Sequence, residues 1–198
     1  MSKIVAIEHL TLDGVYQGPA RQDEDTRNGF EYGGWEMAGN DPAMQKGMGA
    51  AMGSSWSLLA GRTTYEDLYG FWPKQPPNHM TEALNQVEKF VVSTTLAEPL
   101  PWQNSILLKG DAAEAVARLK KEHPKTLVIF GSGELVRSLL EHGLLDELLL
   151  MIHPLVLGTG RRLFADAPHT KLKLVDSETT ATGVIIATYR LVSEGGKA

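Results

Sequence analysis

Three places in the sequence join glycine, hydroxyl and charged residues at the end of an apolar run and the start of a helical one. They are Gly61-Arg62-Thr63-Thr64, Ser93-Thr94-Thr95 and Gly131-Ser132-Gly133-Glu134. A helix N-terminus carries unpaired N–H groups and a partial positive charge, so it favours phosphate. Glycine lets the backbone approach an anion closely, and hydroxyls with Arg62 add further donors. On one crevice, such ends suit a dinucleotide pyrophosphate plus one extra phosphate. Taken singly, each also fits a capped turn that binds nothing. Gly133 is expected to give that close approach, so that Gly133→Val blocks the anion and leaves the fold intact. The run Gly131-Ser132-Gly133-Glu134-Leu135-Val136 has Val136 where the dinucleotide fingerprint has its third glycine. No ribose-binding acid ends a following strand, so the standard dinucleotide-binding fold is not expected.

Asp13-Gly14 closes the first apolar run. At an apolar cleft the protonated form of Asp13 is favoured, which makes it a candidate proton donor or substrate-binding acid; the alternative is a turn aspartate. Trp35 is a candidate to cover a cofactor or substrate ring, the alternative being loop packing. His153 precedes Pro154 in an apolar run and reads as a satisfied core histidine. Gly158-Thr159-Gly160-Arg161-Arg162 is a turn with two cations that either closes a cleft or binds a phosphate, or is simply solvated.

Composition narrows the chemistry. The chain has 198 residues, is 42% hydrophobic and carries a formal charge of -5. One domain over residues 1–198 is expected. Cysteine is absent, which excludes disulfides, thiolate zinc sites, iron–sulfur clusters and a cysteine nucleophile. The six histidines show no ligand spacing, so no metal is expected. No nucleophile elbow is present. The mild acidity argues against nucleic-acid and anionic-membrane partners. No run approaches the ~18 apolar residues of a spanning helix, nor does the N-terminus read as a secretory leader. The expectation is a soluble cytoplasmic protein.

The elements that must hold these residues alternate along the chain. Residues 3–10 (KIVAIEHL) read as a strand, followed by a long polar stretch over 13–41. Asp41-Pro42 starts a helix, with Met44, Met48 and Met52 on one face, read as core. Residues 57–60 form a short strand, and Thr63 or Thr64 is expected to cap the next helix. A helix over 81–88 leads to strands at 89–93 and 105–108. Asp111 caps a helix that continues to His123. Residues 126–130 are a buried strand feeding a helix that ends at His142-Gly143. Residues 147–153 are a further buried strand. Residues 171–178 and 184–191 alternate and flank Thr182-Gly183 as an antiparallel hairpin. The last residues, EGGKA, read as a frayed tail. About eight strands and four or five helices in this order predict an α/β domain. Its sheet is largely parallel with an antiparallel edge, and its crevice lies at the carboxyl ends of the strands.

Three segments carry a resemblance over almost the whole chain: LLAGRTTYE at 58–66, KFVVSTT at 89–95 and LVIFGSGELVRSLLEHGLLDELLLMIHPLVLGTGRRLF at 127–164. They resemble the riboflavin-pathway reductase domain of the dihydrofolate-reductase-like superfamily. The resemblance implies a three-layer α/β fold with an NADPH cleft and a small-molecule substrate, and it leaves room for a homodimer. It implies that Gly61, Arg62, Thr63 and Thr64 face the cofactor phosphates, with Ser93 and Thr94 near the adenosine 2′-phosphate. Gly131, Ser132, Gly133, Glu134 and Leu135 would wrap the pyrophosphate and nicotinamide ribose, while Asp13 and Gly14 border the substrate pocket. The activity implied is hydride transfer from NADPH to a small heterocyclic or carbonyl compound, as in reduction of 5-amino-6-(5-phosphoribosylamino)uracil; the alternative is a nucleotide-binding module without turnover. Dihydrofolate is disfavoured as substrate, because the helix after Asp41 has no acid in its interior.

Overall fold

A computed structural model describes residues 1–192; the EGGKA tail lies outside them. Eight strands form one sheet: β1 (Ile4–Thr11), β2 (Trp56–Gly61), β3 (Lys89–Val92), β4 (Ser105–Leu108), β5 (Thr126–Phe130), β6 (Glu147–His153), β7 (Leu172–Thr179) and β8 (Ile185–Leu191). Their order is β4-β3-β2-β5-β1-β6-β8-β7. The pairs from β4 to β6 are parallel, whereas β6–β8 and β7–β8 are antiparallel. The helices are α1 (Pro42–Met52), α2 (Arg62–Phe71), α3 (His79–Gln86), α4 (Ala112–Glu122) and α5 (Gly133–Glu141).

The central strands are apolar on both faces because both are covered. On β1, Ile4, Ala6 and Leu10 join Val116 of α4 and Leu135, Val136 and Leu139 of α5 in one cluster. Val5 and Ile7 alternate onto the other face, against Met44 and Met52 of α1. Leu58, Ala60 and Val91 of β2 and β3 pack with Tyr65 of α2 and Leu84 of α3. The result is three layers, with α4 and α5 on one side of the sheet and α1, α2 and α3 on the other. The methionine stripe divides: Met44 and Met52 are core, whereas Met48 is half-buried against it.

Local signals place most helix starts. Asp41, Asn78 and Asp111 accept from first-turn N–H groups of α1, α3 and α4. The start of α2 differs from the sequence expectation. The helix already begins at Arg62 with Gly61 as N-cap and no side-chain cap, so neither Thr63 nor Thr64 caps it. The last hairpin differs too. β7 is exposed along nearly its whole length, because it is the sheet edge and no helix covers it. A register shift between Leu174 and Asp176 breaks its alternation further.

Residues 12–41 cross the carboxyl ends of the strands as an ordered loop with two short 3-10 turns, Arg27–Gly29 and Trp35–Gly39. Its anchor is Gln17, which is 2% exposed. The Gln17 amide donates to the Asp25 and Arg27 carbonyls and accepts from the Arg161 N–H, while its own carbonyl accepts from Trp35 Nε1.

Candidate functional site

A cleft of about 1510 Å³ runs along the carboxyl ends of β1, β2, β3 and β5. Gly61, Arg62, Thr63, Thr64, Ser93, Thr94, Gly131, Ser132, Gly133, Glu134 and Leu135 all line it. The three strand ends thus meet on one crevice, as β2 pairs with β3 and with β5. Ser132 Oγ accepts from the Gly61 N–H at 3.1 Å, which ties two of these ends together.

Four helices begin on this cleft, α2, α3, α4 and α5, and two of them lack side-chain caps. Neither α2 nor α5 has one, whereas α1, α3 and α4 do. First-turn N–H groups without a cap need a partner from outside the helix, and an anion in this cleft supplies one. Gly131 (φ +61) and Ser132 (φ +62) are both left-handed, a conformation that costs a non-glycine residue free energy. That sharp turn aims the start of α5 at the cleft. Leu135 has its side chain in the core, so what it can offer a ligand is backbone. Glu134 pairs with Arg161, which also lines the cleft. Arg62 pairs with Glu66 at 3.1 Å, both side chains about half exposed. Such a pair is weak, so Arg62 is free to turn to a phosphate. Ser93 Oγ accepts from the Thr95 and Leu96 N–H groups and shares a 3.4 Å contact with the Thr95 hydroxyl.

Gly133 serves a different purpose from the one expected. A Cβ there would lie 2.5 Å from the Tyr16 ring. The close approach is to Tyr16, so Gly133→Val strains the fold itself.

Asp13, Gly14 and Trp35 do not line the cleft. The Asp13 carboxylate accepts from the Leu157 and Gly158 N–H groups, from the Thr11 hydroxyl and from Arg162. These bonds, Thr11 foremost, hold its carboxyl well below the usual range. It is an ionised structural clasp, the opposite of a protonated acid in an apolar cleft. Gly14, left-handed at φ +79, carries the chain through the same turn. Trp35 stands edge-on to His153 with ring centroids 5.2 Å apart and so backs the site from behind. In the two-cation turn, Arg162 is bound to Asp13 and only Arg161 reaches the cleft.

The acid–base groups in the cleft are ones the motifs did not point to. Glu8 lines it, is 2% exposed and leaves Oε1 without a hydrogen-bond partner among the described residues. Burial pushes its carboxyl up to about 8. The signal was present: Glu8 interrupts the apolar parity of positions 4, 6 and 10. On the opposite face of β1, His9 Nδ1 lies 2.9 Å from Glu36 Oε2 and 3.0 Å from His153 Nε2. Burial would raise Glu36, but the hydrogen bond and charge of His9 outweigh it and hold Glu36 below the ordinary value. Burial pushes His153 down to about 4, so it stays a neutral core histidine. Nothing local in the sequence couples His9 to a glutamate 27 positions later.

The family profile of the RibD C-terminal domain matches residues 3–186. The chain belongs to that family. Among curated proteins it is similar to the uncharacterized YyaP of Bacillus subtilis (strain 168), at 32% identity over 139 residues, 67% of this chain and 72% of that one. YwjB of the same organism, also uncharacterized, is 29% identical over 60% of this chain and 64% of that one. Solved structures show the same architecture. A Shewanella sp. PV-4 protein provisionally assigned to riboflavin biosynthesis superposes with a TM-score of 0.67 at 20% identity, covering 96% of this chain and 99% of that one. A pyrimidine reductase-like protein of Corynebacterium diphtheriae also gives 0.67, at 16% identity, covering 98% and 93%. Dihydrofolate reductase of Enterococcus faecalis, complexed with NADP(H) and RAB-propyl, gives 0.58 at 15% identity, covering 96% and 97%. The fold of this RibD C-terminal domain is therefore dihydrofolate-reductase-like. No group of three or more metal-ligating side chains occurs among the described residues, nor is any described helix long and apolar enough to cross a membrane.

Proposed function

We propose that this protein is an NADPH-dependent reductase of a small heterocyclic or carbonyl compound. The observation that carries the reading is the pair of uncapped helix starts, α2 and α5, held side by side on one cleft. Family membership makes nicotinamide nucleotides the first ligands to test.

The residues present fit such a cofactor. The N–H groups at the start of α5 and α2 face the same crevice as Arg62 and the Ser93-Thr94 hydroxyls. In this reading α5 and the Gly131-Ser132-Gly133 turn hold the pyrophosphate. Arg62, Ser93 and Thr94 hold the 2′-phosphate that distinguishes NADPH from NADH. The bound cofactor supplies hydride; the chain orients the two rings, excludes water and handles the proton. The substrate takes the remainder of the cleft, which Glu8, Glu36, Gln45 and Met48 also line. Family membership supports a cytoplasmic location and leaves a homodimer open.

Titration of the purified protein with NADPH and NADH is expected to show binding with preference for NADPH. Absorbance at the nicotinamide band is expected to fall when 5-amino-6-(5-phosphoribosylamino)uracil or a metabolite extract is added. Absence of NADPH binding overturns the reading. Tight binding with no oxidation under any condition makes the protein a nucleotide-binding module.

A further inference from the structure

We infer that Glu8 is the acid of this cleft: it delivers a proton to the substrate atom made basic by reduction, then pairs as a carboxylate with the cationic ring left beside it. The inference deepens the reductase reading and rests on it.

Position comes first. In the β1–β5 register Ile7 stands beside Phe130, and the Gly131 N–H donates to the Ile7 carbonyl at 3.4 Å. Glu8 is therefore level with Gly131, the first residue of the turn that opens α5. Strand alternation puts its side chain on the face of Ala6 and Leu10, the face that α5 covers. Tyr16 packs against Gly133 and feels the charge of Glu8. Glu8, Tyr16 and Gly133 thus stand together on the cleft beside the turn that opens α5.

The second observation is the absence of a structural role. Glu8 is nearly fully buried, yet Oε1 has no partner. A buried polar group without a partner costs stability, and the neighbouring positions on this face of β1 are aliphatic. Rule-breaking of this kind concentrates at functional sites. The charged and titratable groups around Tyr16 are Arg161, Arg137 and Glu134, of which Arg161 and Glu134 pair with each other. His9, Glu36 and His153 occupy the other face of β1, and burial, not a neighbouring charge, governs the Glu8 carboxyl.

The step balances as follows. Bound NADPH would supply hydride to a C=N or C=O carbon of the substrate. Its heteroatom then bonds to the Glu8 proton as the Glu8 O–H bond breaks. The Glu8 carboxylate left behind would offset the positive charge of an oxidised cofactor, and it would take its proton back from water on release. The substrate class is accordingly a flat compound with an sp² nitrogen or oxygen acceptor at the reducible carbon.

The test uses the full-length protein labelled with [5-¹³C]glutamate, with Glu8→Gln to assign the signal. In the free protein one carboxyl is expected to titrate near pH 8 and to vanish in Glu8→Gln. Saturating NADP⁺ is expected to move that midpoint down, because its ring is cationic, whereas NADPH leaves it or raises it. The NADP⁺/NADPH affinity ratio then rises about tenfold for each pH unit by which the midpoint falls. The 2′-phosphate is common to both nucleotides and cancels in the ratio. In Glu8→Gln the ratio is expected to be flat with pH, and Glu8→Ala serves the same end should the amide not fold. A Glu8 carboxyl titrating in the ordinary carboxylate range overturns the inference. So does a ratio with the same pH dependence in wild type and variant, and in that case the reductase reading stands. If neither nucleotide binds, the reductase reading falls and takes the inference with it.

Discussion

The Asp13 carboxylate ties the end of β1 to the 157–162 turn through two backbone N–H groups and Arg162. Charge-assisted hydrogen bonds contribute roughly 1.5–3 kcal/mol each, less where a partner is exposed. Asp13→Ala is expected to cost on the order of 1–2 kcal/mol at pH 7, roughly 3–6 °C in melting temperature. Its native carboxyl titrates below the ordinary 3.8, so the stabilisation is complete above about pH 4 and fades as pH falls further. The melting difference between wild type and variant should shrink in acid; a difference that grows there would contradict the clasp. Glu8 has the opposite sign. It titrates near 8 against an ordinary 4.5, so the native state keeps a proton that the unfolded chain loses. Wild-type stability relative to Glu8→Gln should decline between about pH 4.5 and 8 and level off above. Thermal melts of both proteins across that range check it. Lys89 is a buried charge of another kind. Its ammonium donates to the Val87 and Gln103 carbonyls and lies over the Trp102 ring, satisfied without a carboxylate.

At the scale of elements, two junctions decide the cleft. At the β5–α5 turn, Gly133 meets the Tyr16 ring. Overpacking typically costs about 1–3 kcal/mol, so Gly133→Val is expected to lower the melting temperature as well as nucleotide affinity. Tyr16→Ala in the same chain should recover part of the stability. A double-mutant cycle measures that coupling, and purely additive effects would show that the ring contact is not what Gly133 serves. At the β2–α2 and β3 ends, Arg62 and Thr94 line the cleft and in the proposed reading hold the 2′-phosphate. Losing one donor to a charged group, at roughly 1.5–3 kcal/mol, should weaken NADPH about ten- to a hundredfold with NADH little changed. Arg62→Ala and Thr94→Ala titrated with both nucleotides show which one reads it. Ser93 is the poorer probe, since its Oγ also closes the turn after β3.

The whole molecule has an open side. β7 is a sheet edge with exposed Leu174 and Val175. An uncovered edge carrying apolar side chains invites pairing with another chain. If the homodimer that the resemblance leaves room for forms, this edge is a natural place for it. Light scattering on the purified protein should then give twice the chain mass, and Val175→Lys should return it toward 21.6 kDa without loss of nucleotide binding. A monomeric wild type removes the proposal.

Some of this was fixed locally, and so could be read in order along the chain. Apolar runs on both faces made the central strands, and Asp41 and Asp111 placed two helix starts because a cap acts within its own turn. Glycine and hydroxyl residues marked all three strand ends that meet at the cleft, and the late segment 127–164 carried the family. What tertiary structure decided were contacts between residues far apart in sequence. Asp13 became a clasp because the 157–162 turn came to it with two N–H groups and an arginine. Gly133 was claimed by Tyr16, 117 positions earlier, across the cleft. Glu8 favours its protonated form because the sheet and α5 closed over it without offering Oε1 a partner. Residue type says that a group can titrate; only packing decides whether water, a cation or nothing stands beside it, and that sets which acid keeps its proton.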